Sequence, residues 1–312
     1  MNNPVTISVV APIYGVEKYI GQFSESVFNQ SYQHVQYVFV NDGTKDNSIG
    51  VLESVIDRYP HLRDRITIVN KQNGGLPAAR KTGMAHVTGD YVWHVDPDDW
   101  VEPEAFASIA EFALANDCPD VIYFDFFKDY PQKSKHKMEK DFSLAQKECY
   151  IRGMYTHRSY GCVWNKCVKR SIYLEGLVDF PEFSYGEDTF LTTQLVGYSH
   201  SIAHLKSPLY HYRKGNPNAI TRQNRKKRHR EYALNFLNLY ERYKDIPTES
   251  NPISVIFDDI IIQAGWYSIK YGLDLFSARP YLADAVRKAK IKGRSNVCLL
   301  AQFLVKLYSF IA

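Results

Sequence analysis

The run Tyr91–His94 is apolar, and six residues later the chain has added three carboxylates, Asp96, Asp98 and Asp99, before Trp100. On extended backbone, residues two apart face the same side, so Asp96 and Asp98 are expected to converge. Pro97 biases Asp96 toward extended geometry and fixes its own φ. Carboxylates this close repel and raise one another's pKa unless a cation neutralises them. Magnesium and manganese take one or two carboxylates, several waters and phosphate oxygens. Asp96, Asp98 and Asp99 are therefore candidate ligands of a divalent cation. The bland alternative is that aspartates around a proline make a turn and cap a helix after Trp100.

Three more junctions carry polar residues or glycines: Pro12 and Tyr14, then Asn41-Asp42-Gly43, then Asn73-Gly74-Gly75. Asp42 before Gly43 is either turn chemistry or an acceptor for a base or ribose. Gly74 and Gly75 let backbone approach a ligand closely. Pro77 suits the first position of a helix, and Arg80 follows in its first turn. A helix N-terminus with an arginine attracts phosphate; otherwise Arg80 faces solvent.

The elements that must position these residues follow from periodicity. ISVVAPIY, VQYVFVND, RITIVN and YVWHV read as strands. Between them, Ile20, Phe23 and Val27 share one helical face, as do Ile49, Leu52 and Ile56, with Asp46 or Asn47 as N-cap. A third helix is expected from about Pro77 to His86. This β-α-β-α-β-α-β order implies a mainly parallel sheet with helices on both faces, an α/β fold. In such sheets ligands sit beyond the carboxyl ends of the strands, where the four polar junctions fall. DVIYFDFF adds a strand, 128–150 reads as a polar, lysine-rich loop, and the chain looks helical from about residue 220.

Bulk properties set limits. The 312 residues suffice for one large domain or two smaller ones. A net charge of +4 does not demand nucleic acid. The first strand starts almost at Met1, which leaves no room for a charged-then-apolar leader, and no apolar run is long enough to span a bilayer. Five cysteines form no zinc pattern, and an odd count without an export signal fits the cytoplasm.

In this order and spacing, ISVVAPIYGVEKYI, FVNDGTKDNS, NKQNGGLPAARKTGMAHVTGDYV and HVDPDDW resemble the family 2 inverting glycosyltransferases of GT-A fold, as found in bacterial polysaccharide and capsule synthesis. The resemblance is close over 5–103 and looser to about 213. It implies transfer of a sugar from a nucleotide-diphospho-sugar, a UDP-sugar in characterised relatives, to a glycan or lipid-linked acceptor, assisted by Mn or Mg. It implies a catalytic domain over 1–215, with a nucleotide-sugar half to about 103 and an acceptor half after it, and a helical C-terminal region over 216–312. By motif, Pro12, Tyr14, Asp42, Asn73 and Gly74 line the nucleotide, with Arg80 near the diphosphate. Asp96 and Asp98 meet ribose and the metal-diphosphate unit, and Asp99 the metal or the sugar. Two positions depart from the family: Pro97 replaces a small residue, and Lys81 an asparagine. Neither removes a carboxylate.

Inversion also needs a base on the acceptor hydroxyl. Glu187-Asp188 resembles the family's Glu-Asp pair, which makes Asp188 the base and Glu187 its neighbour; the alternative is first-turn acids complementing a helix dipole. CVWNKCVKR resembles an acceptor-side stretch. There Trp164 either stacks on a sugar or packs in the core, and Lys166 meets phosphate. PLYHYRKG resembles the strand that carries an arginine, Arg213, to the diphosphate; His211 is a further candidate metal ligand. The basic run Arg222–Arg230 and the apolar tail from Val297 suggest peripheral contact with the inner face of the cytoplasmic membrane, or a homodimer contact. A sugar nucleotidyltransferase would need a glycine-rich loop with arginine after strand one, and APIYGVEKY lacks it. A degenerate binding or scaffold protein would lack one of the carboxylates, all of which are present.

Overall fold

The computed structural model describes residues 4–155, 159–174, 178–217, 219–222 and 224–289. Strands β1 (Ile7–Ile13), β2 (Val35–Asn41), β3 (Ile66–Asn70) and β4 (Tyr91–His94) alternate with helices α1 (Ile20–Phe28), α2 (Ser48–Ile56) and α3 (Leu76–Met84). All their mutual pairings are parallel, with β1 between β2 and β4. The chain therefore steps outward through β2 and β3, then returns to the other side of β1. That reversal is where α/β sheets open a ligand crevice.

Parallel strands are covered on both faces, so they read as continuous apolar runs; all seven residues of β1 are buried. On one face Val9, Phe39 and Trp93 pack with Ile20, Phe23 and Val27 of α1 and with Leu52 of α2. On the other, Val10, Val38 and Val92 pack against Ala79 of α3. Helix α3 lies so close that a Cβ on Gly83 would sit 2.5 Å from Val10 Cγ1.

The second half is mixed. A two-residue strand, β5 (Trp100–Val101), occupies the position where a helix was one alternative, and α4 (Ala105–Ala115) starts later. It is followed by β6 (Val121–Tyr130), β7 (Lys133–Lys137), α5 (Lys147–Tyr155), β8 (Lys166–Lys169), α6 (Arg170–Leu174), α7 (Glu187–Tyr198) and β9 (Ile202–Arg213). The expected loop over 128–150 is thus partly ordered: β6 runs on to Tyr130, turns into β7, and α5 begins at Lys147. Strand β8 joins β4 to β6 by antiparallel pairing, and β6 pairs in parallel with β9.

Helices α8 (Arg225–Tyr243), α9 (Phe257–Tyr271), α10 (Leu275–Ala278) and α11 (Tyr281–Lys288) follow. They share a core with α5 and α7, including Ile151, Phe190, Phe236, Leu237 and Ile261. Helix α7 is consequently gripped on two sides, since Leu191 and Leu195 pack against Val121 and Val168 of the sheet. Asn224 caps α8, its Oδ1 accepting from the Lys226 and Lys227 amides. Within the basic run Arg228 is half-buried over Tyr185, whereas Arg225, over Tyr271, stays exposed. The apolar tail from Val297 lies outside the described residues. Among the described residues no helix is long and apolar enough to cross a membrane.

Candidate active site

A cleft of about 1150 Å³ opens above β1 and β4. Pro12, Tyr14, Asp42, Asn73, Asp96 and Asp98 line one side. Trp164, Tyr185, Glu187, Asp188 and Tyr212 line the other, and Arg213 lies among the residues that follow. Residues from four strand ends and from α7 thus meet, as the sequence motifs suggest.

Asp42 is held at the end of β2. Its Oδ1 accepts from the Gly74 amide at 2.9 Å and from Lys71 Nζ at 2.6 Å, and its Oδ2 from the Gly75 amide at 2.8 Å. Gly74 therefore acts through Asp42. Gly75, at φ +85°, occupies the left-handed region that the entry to α3 requires.

The aspartates after β4 separate into different environments. The Asp99 amide donates to the Asp96 carbonyl at 3.0 Å, closing a turn across Pro97-Asp98. Asp96 and Asp98 face the cleft. Asp99 turns away, 1% exposed, accepting from Tyr210 Oη and the Arg213 amide, both at 2.7 Å. Asp99 does not face the cleft with the other two, because its carboxylate pins the end of β9. Burial, with Asp98 and Asp96 nearby, holds its pKa well above the usual carboxylate range.

Arg80 does not face solvent, the alternative that the sequence left open. It is fully buried, and its guanidinium is taken up by carboxylates. Nη2 donates to Asp96 at 2.6 Å; Nη1 donates to Glu187 at 2.7 and 2.9 Å and to Asp188 at 2.8 Å. One cation therefore joins the turn after β4 to the first turn of α7. Burial pushes Asp96 up to about 6 despite the pull of Arg80, and Asp188 and Asp98 add to the rise. Burial likewise holds Glu187 well above its ordinary value, again against Arg80.

Two expected contacts, those of Lys166 and His211, fall outside the cleft surface. Lys166 is buried, with Nζ donating to the Tyr160 and Cys162 carbonyls and to Asn165 Oδ1. An ammonium so satisfied is unavailable to phosphate. His211 is not beside Asp96 and Asp98: it bridges Glu102 and Asp129 and stacks between Trp100 and Phe127. Trp164 serves both readings, lining the cleft while stacked on Tyr210 and Tyr212. Arg213 borders the cleft, with Nε donating to the Asp98 carbonyl at 2.7 Å. Asn216, which the motifs do not single out, donates to Asp98 Oδ2 at 2.7 Å.

The residues fit a divalent cation of the open kind. Among the described residues no group of three or more His, Cys, Asp or Glu side chains could hold a metal by itself. Asp96 and Asp98 nevertheless present two cleft-facing carboxylates within one turn. One or two carboxylates completed by substrate phosphate is the donor set that magnesium or manganese accepts.

Comparison with known proteins agrees with this geometry. The model of the family described as "Glycosyl transferase family 2" matches residues 8–173. A putative glycosyltransferase of Bacillus subtilis (strain 168), EpsH, is 28% identical over 214 residues, spanning 66% of this chain and 60% of that protein's length. The crystal structure of S. aureus TarS 1–349 in complex with UDP-GlcNAc superimposes with a TM-score of 0.63 at 18% identity, covering 98% of this chain and 92% of that one. The Pyrobaculum calidifontis mannosyltransferase PcManGT, in complex with GDP-Man and Mn2+, gives a TM-score of 0.58 at 16% identity, covering 98% and 88%. At these identities the two structures speak for the fold.

Proposed function

The chain belongs to glycosyl transferase family 2 and has the GT-A fold, and on that premise we propose that it transfers a sugar from a nucleotide-diphospho-sugar to a glycan or lipid-linked acceptor with inversion at the anomeric carbon. The observation that carries this reading is the Arg80 junction. It holds Asp96, on the nucleotide side, and Asp188, on the acceptor side, within 2.6 and 2.8 Å of one guanidinium.

In this reading the base and ribose occupy the side of Pro12, Tyr14, Asp42 and Asn73. Asp96 and Asp98 would hold Mn or Mg, which when bound supplies positive charge to the departing diphosphate. Asp188 accepts the acceptor hydroxyl proton as the oxygen attacks the anomeric carbon from the face opposite the diphosphate. Its position at the start of α7, with Arg80 on one oxygen, orients the carboxylate toward the cleft. Glu187 sits behind it and fixes Arg80. Trp164 and Tyr212 offer aromatic faces to a sugar ring. The UDP-GlcNAc and GDP-Man complexes of the two fold neighbours support a nucleotide-sugar donor without choosing between UDP and GDP.

A thermal-shift panel of UDP- and GDP-sugars, each with and without manganese, tests the reading. A metal-dependent rise with one donor, absent in Asp98→Ala, supports it. No rise with any nucleotide-sugar under either condition would sink it.

A further inference from the structure

One face of the β6–β7 hairpin is crowded with lysines. Its register sets Lys128 opposite Lys135, Phe126 opposite Lys137 and Tyr130 opposite Lys133. Directly paired residues of an antiparallel ladder project to the same face. Lys128, Lys133, Lys135 and Lys137 therefore share one face. Tyr212 of β9 pairs with Lys128, and Lys214 just beyond it is a fifth.

Four of these lysines lie over rings, and none of the five meets a carboxylate within 4.0 Å among the described residues. Lys128 Nζ lies 4.9 Å from the Tyr160 ring centroid and 5.7 Å from that of Phe126. Lys133 and Lys135 lie 5.8 and 6.0 Å from Tyr130, and Lys214 4.1 Å from Tyr212. Among the described residues, ion pairs within 4.0 Å involve lysines 71, 81, 169, 206 and 227, and none of these five. Burial holds Lys128 and Lys214 below the ordinary lysine value, and a neighbouring lysine adds to the fall in each case, Lys137 for the first and Lys128 for the second. Glu139 near Lys128 and Asp99 near Lys214 pull the other way only from beyond ion-pair distance.

The strip is continuous with the cleft. Lys128, Tyr130, Tyr160, Tyr212 and Lys214 line the cavity that also holds Asp188, whereas Lys133, Lys135 and Lys137 continue beyond it. At about 3.3 Å per residue, Lys133 to Lys137 alone covers roughly 13 Å of strand. A single donor diphosphate at Asp96 and Asp98 cannot satisfy charges spread this far. The complement is a chain with repeated negative groups.

We propose that the acceptor is an extended polyanion, a glycan or related polymer bearing repeated phosphate or carboxylate groups, which leaves the cleft along the lysine face of the β6–β7 hairpin. This rests on the glycosyltransferase reading of the cleft. The aromatic rings between the lysines suit sugar or polyol units, and the ammonium groups the anions.

The test is fluorescence anisotropy with labelled polyphosphate, polyglutamate and neutral dextran, at about 0.1 M salt where exposed charges further apart than ~10 Å are screened. The proteins are the full chain and its Lys133→Gln/Lys135→Gln/Lys137→Gln variant. The expected result is polyanion binding that the variant weakens by about tenfold or more, no dextran binding, and an unchanged thermal shift with the nucleotide donor. Polyphosphate alone assigns a phosphate-bearing acceptor, polyglutamate alone a carboxylate-bearing one, and binding of both keeps the shared anion chemistry. No polyanion binding by the full chain, or equal binding by the variant, overturns the proposal. So does loss of the nucleotide shift in the variant, which would give the hairpin to the donor, or lysine-dependent binding to phosphatidylglycerol vesicles but to neither soluble polyanion. A full chain that binds polyanion but shows no nucleotide shift would instead fault the donor reading.

Discussion

Arg80 Nη1 lies 2.7 and 2.9 Å from the two carboxylate oxygens of Glu187, 107 residues away, and both side chains are sealed from solvent. Removing the cation leaves Glu187 buried and unpaired, with Asp96 and Asp188 beside it. Breaking such a pair costs about 3–5 kcal/mol. Arg80→Met is expected to lower the melting temperature by roughly 10 °C and to abolish transfer. Adding Glu187→Gln removes the worst of the orphaned charge, so the double variant should melt higher than Arg80→Met. A double variant that is no more stable would mean that the pair matters less than the packing of the arginine stem.

Asp188 has a different signature. Its carboxylate is partly open to the cleft, and its loss removes one of the several bonds that Arg80 makes. Asp188→Asn should keep the fold and the nucleotide thermal shift, while the transfer rate falls by about 10²–10⁴-fold, the range typical of a lost general base. Donor consumption with product analysis measures it. A rate within a few-fold of the parent would remove Asp188 from the base role.

The parallel half was legible because its signals are local. β1 to β4 are short apolar runs, and α1 and α2 repeat apolar residues at helical spacing, so Ile20, Phe23, Val27 and Leu52 are buried as the spacing requires. Partners far along the chain were not legible. The inward turn of Asp99 depends on Tyr210 and the Arg213 amide, more than a hundred residues later. The burial of Arg80 depends on Glu187 and Asp188 in the same way; its place near the start of α3 says nothing about what α7 brings to it. The lysine-rich strand β7 was read as loop because polarity outweighed pattern. Yet Lys133-Ser134-Lys135-His136-Lys137 alternates with the period of two that a strand shows. Asn216 gave no signal beyond lying three residues past Arg213.

Thiol reactivity reports on the packing around β8 and α5. Burial raises the pKa of Cys162 and Cys167, whereas Cys149 is exposed. The thiolate is the nucleophile, so raising the pKa depletes it at pH 8. Iodoacetamide at that pH should label Cys149 at least about tenfold faster than Cys167, with half-buried Cys162 between them and Cys167 reacting on denaturation. Site-resolved mass spectrometry reads the order. Rapid labelling of Cys167 in the native protein would mean that strand β8 opens.

Gly186 sets the start of α7, and with it the carboxylate of Asp188. Its φ of +83° lies in the left-handed region, and a Cβ there would stand 2.5 Å from Tyr232 Cδ2. Gly186→Ala therefore meets two penalties. The backbone conformation costs roughly 1–2 kcal/mol for a residue with a Cβ, and the collision with the Tyr232 ring adds overpacking of about 1–3 kcal/mol. Relief by shifting the first turn of α7 would move Asp188 and Glu187 off Arg80. The expected outcome is a lower melting temperature together with a fall in kcat that exceeds any change in donor KM, because Pro12, Asp42 and Asp98 lie on other elements. Adding Tyr232→Ala should recover only the steric part of the stability, since the φ penalty remains. Full recovery of stability in the double variant would show that the backbone there carries no strain.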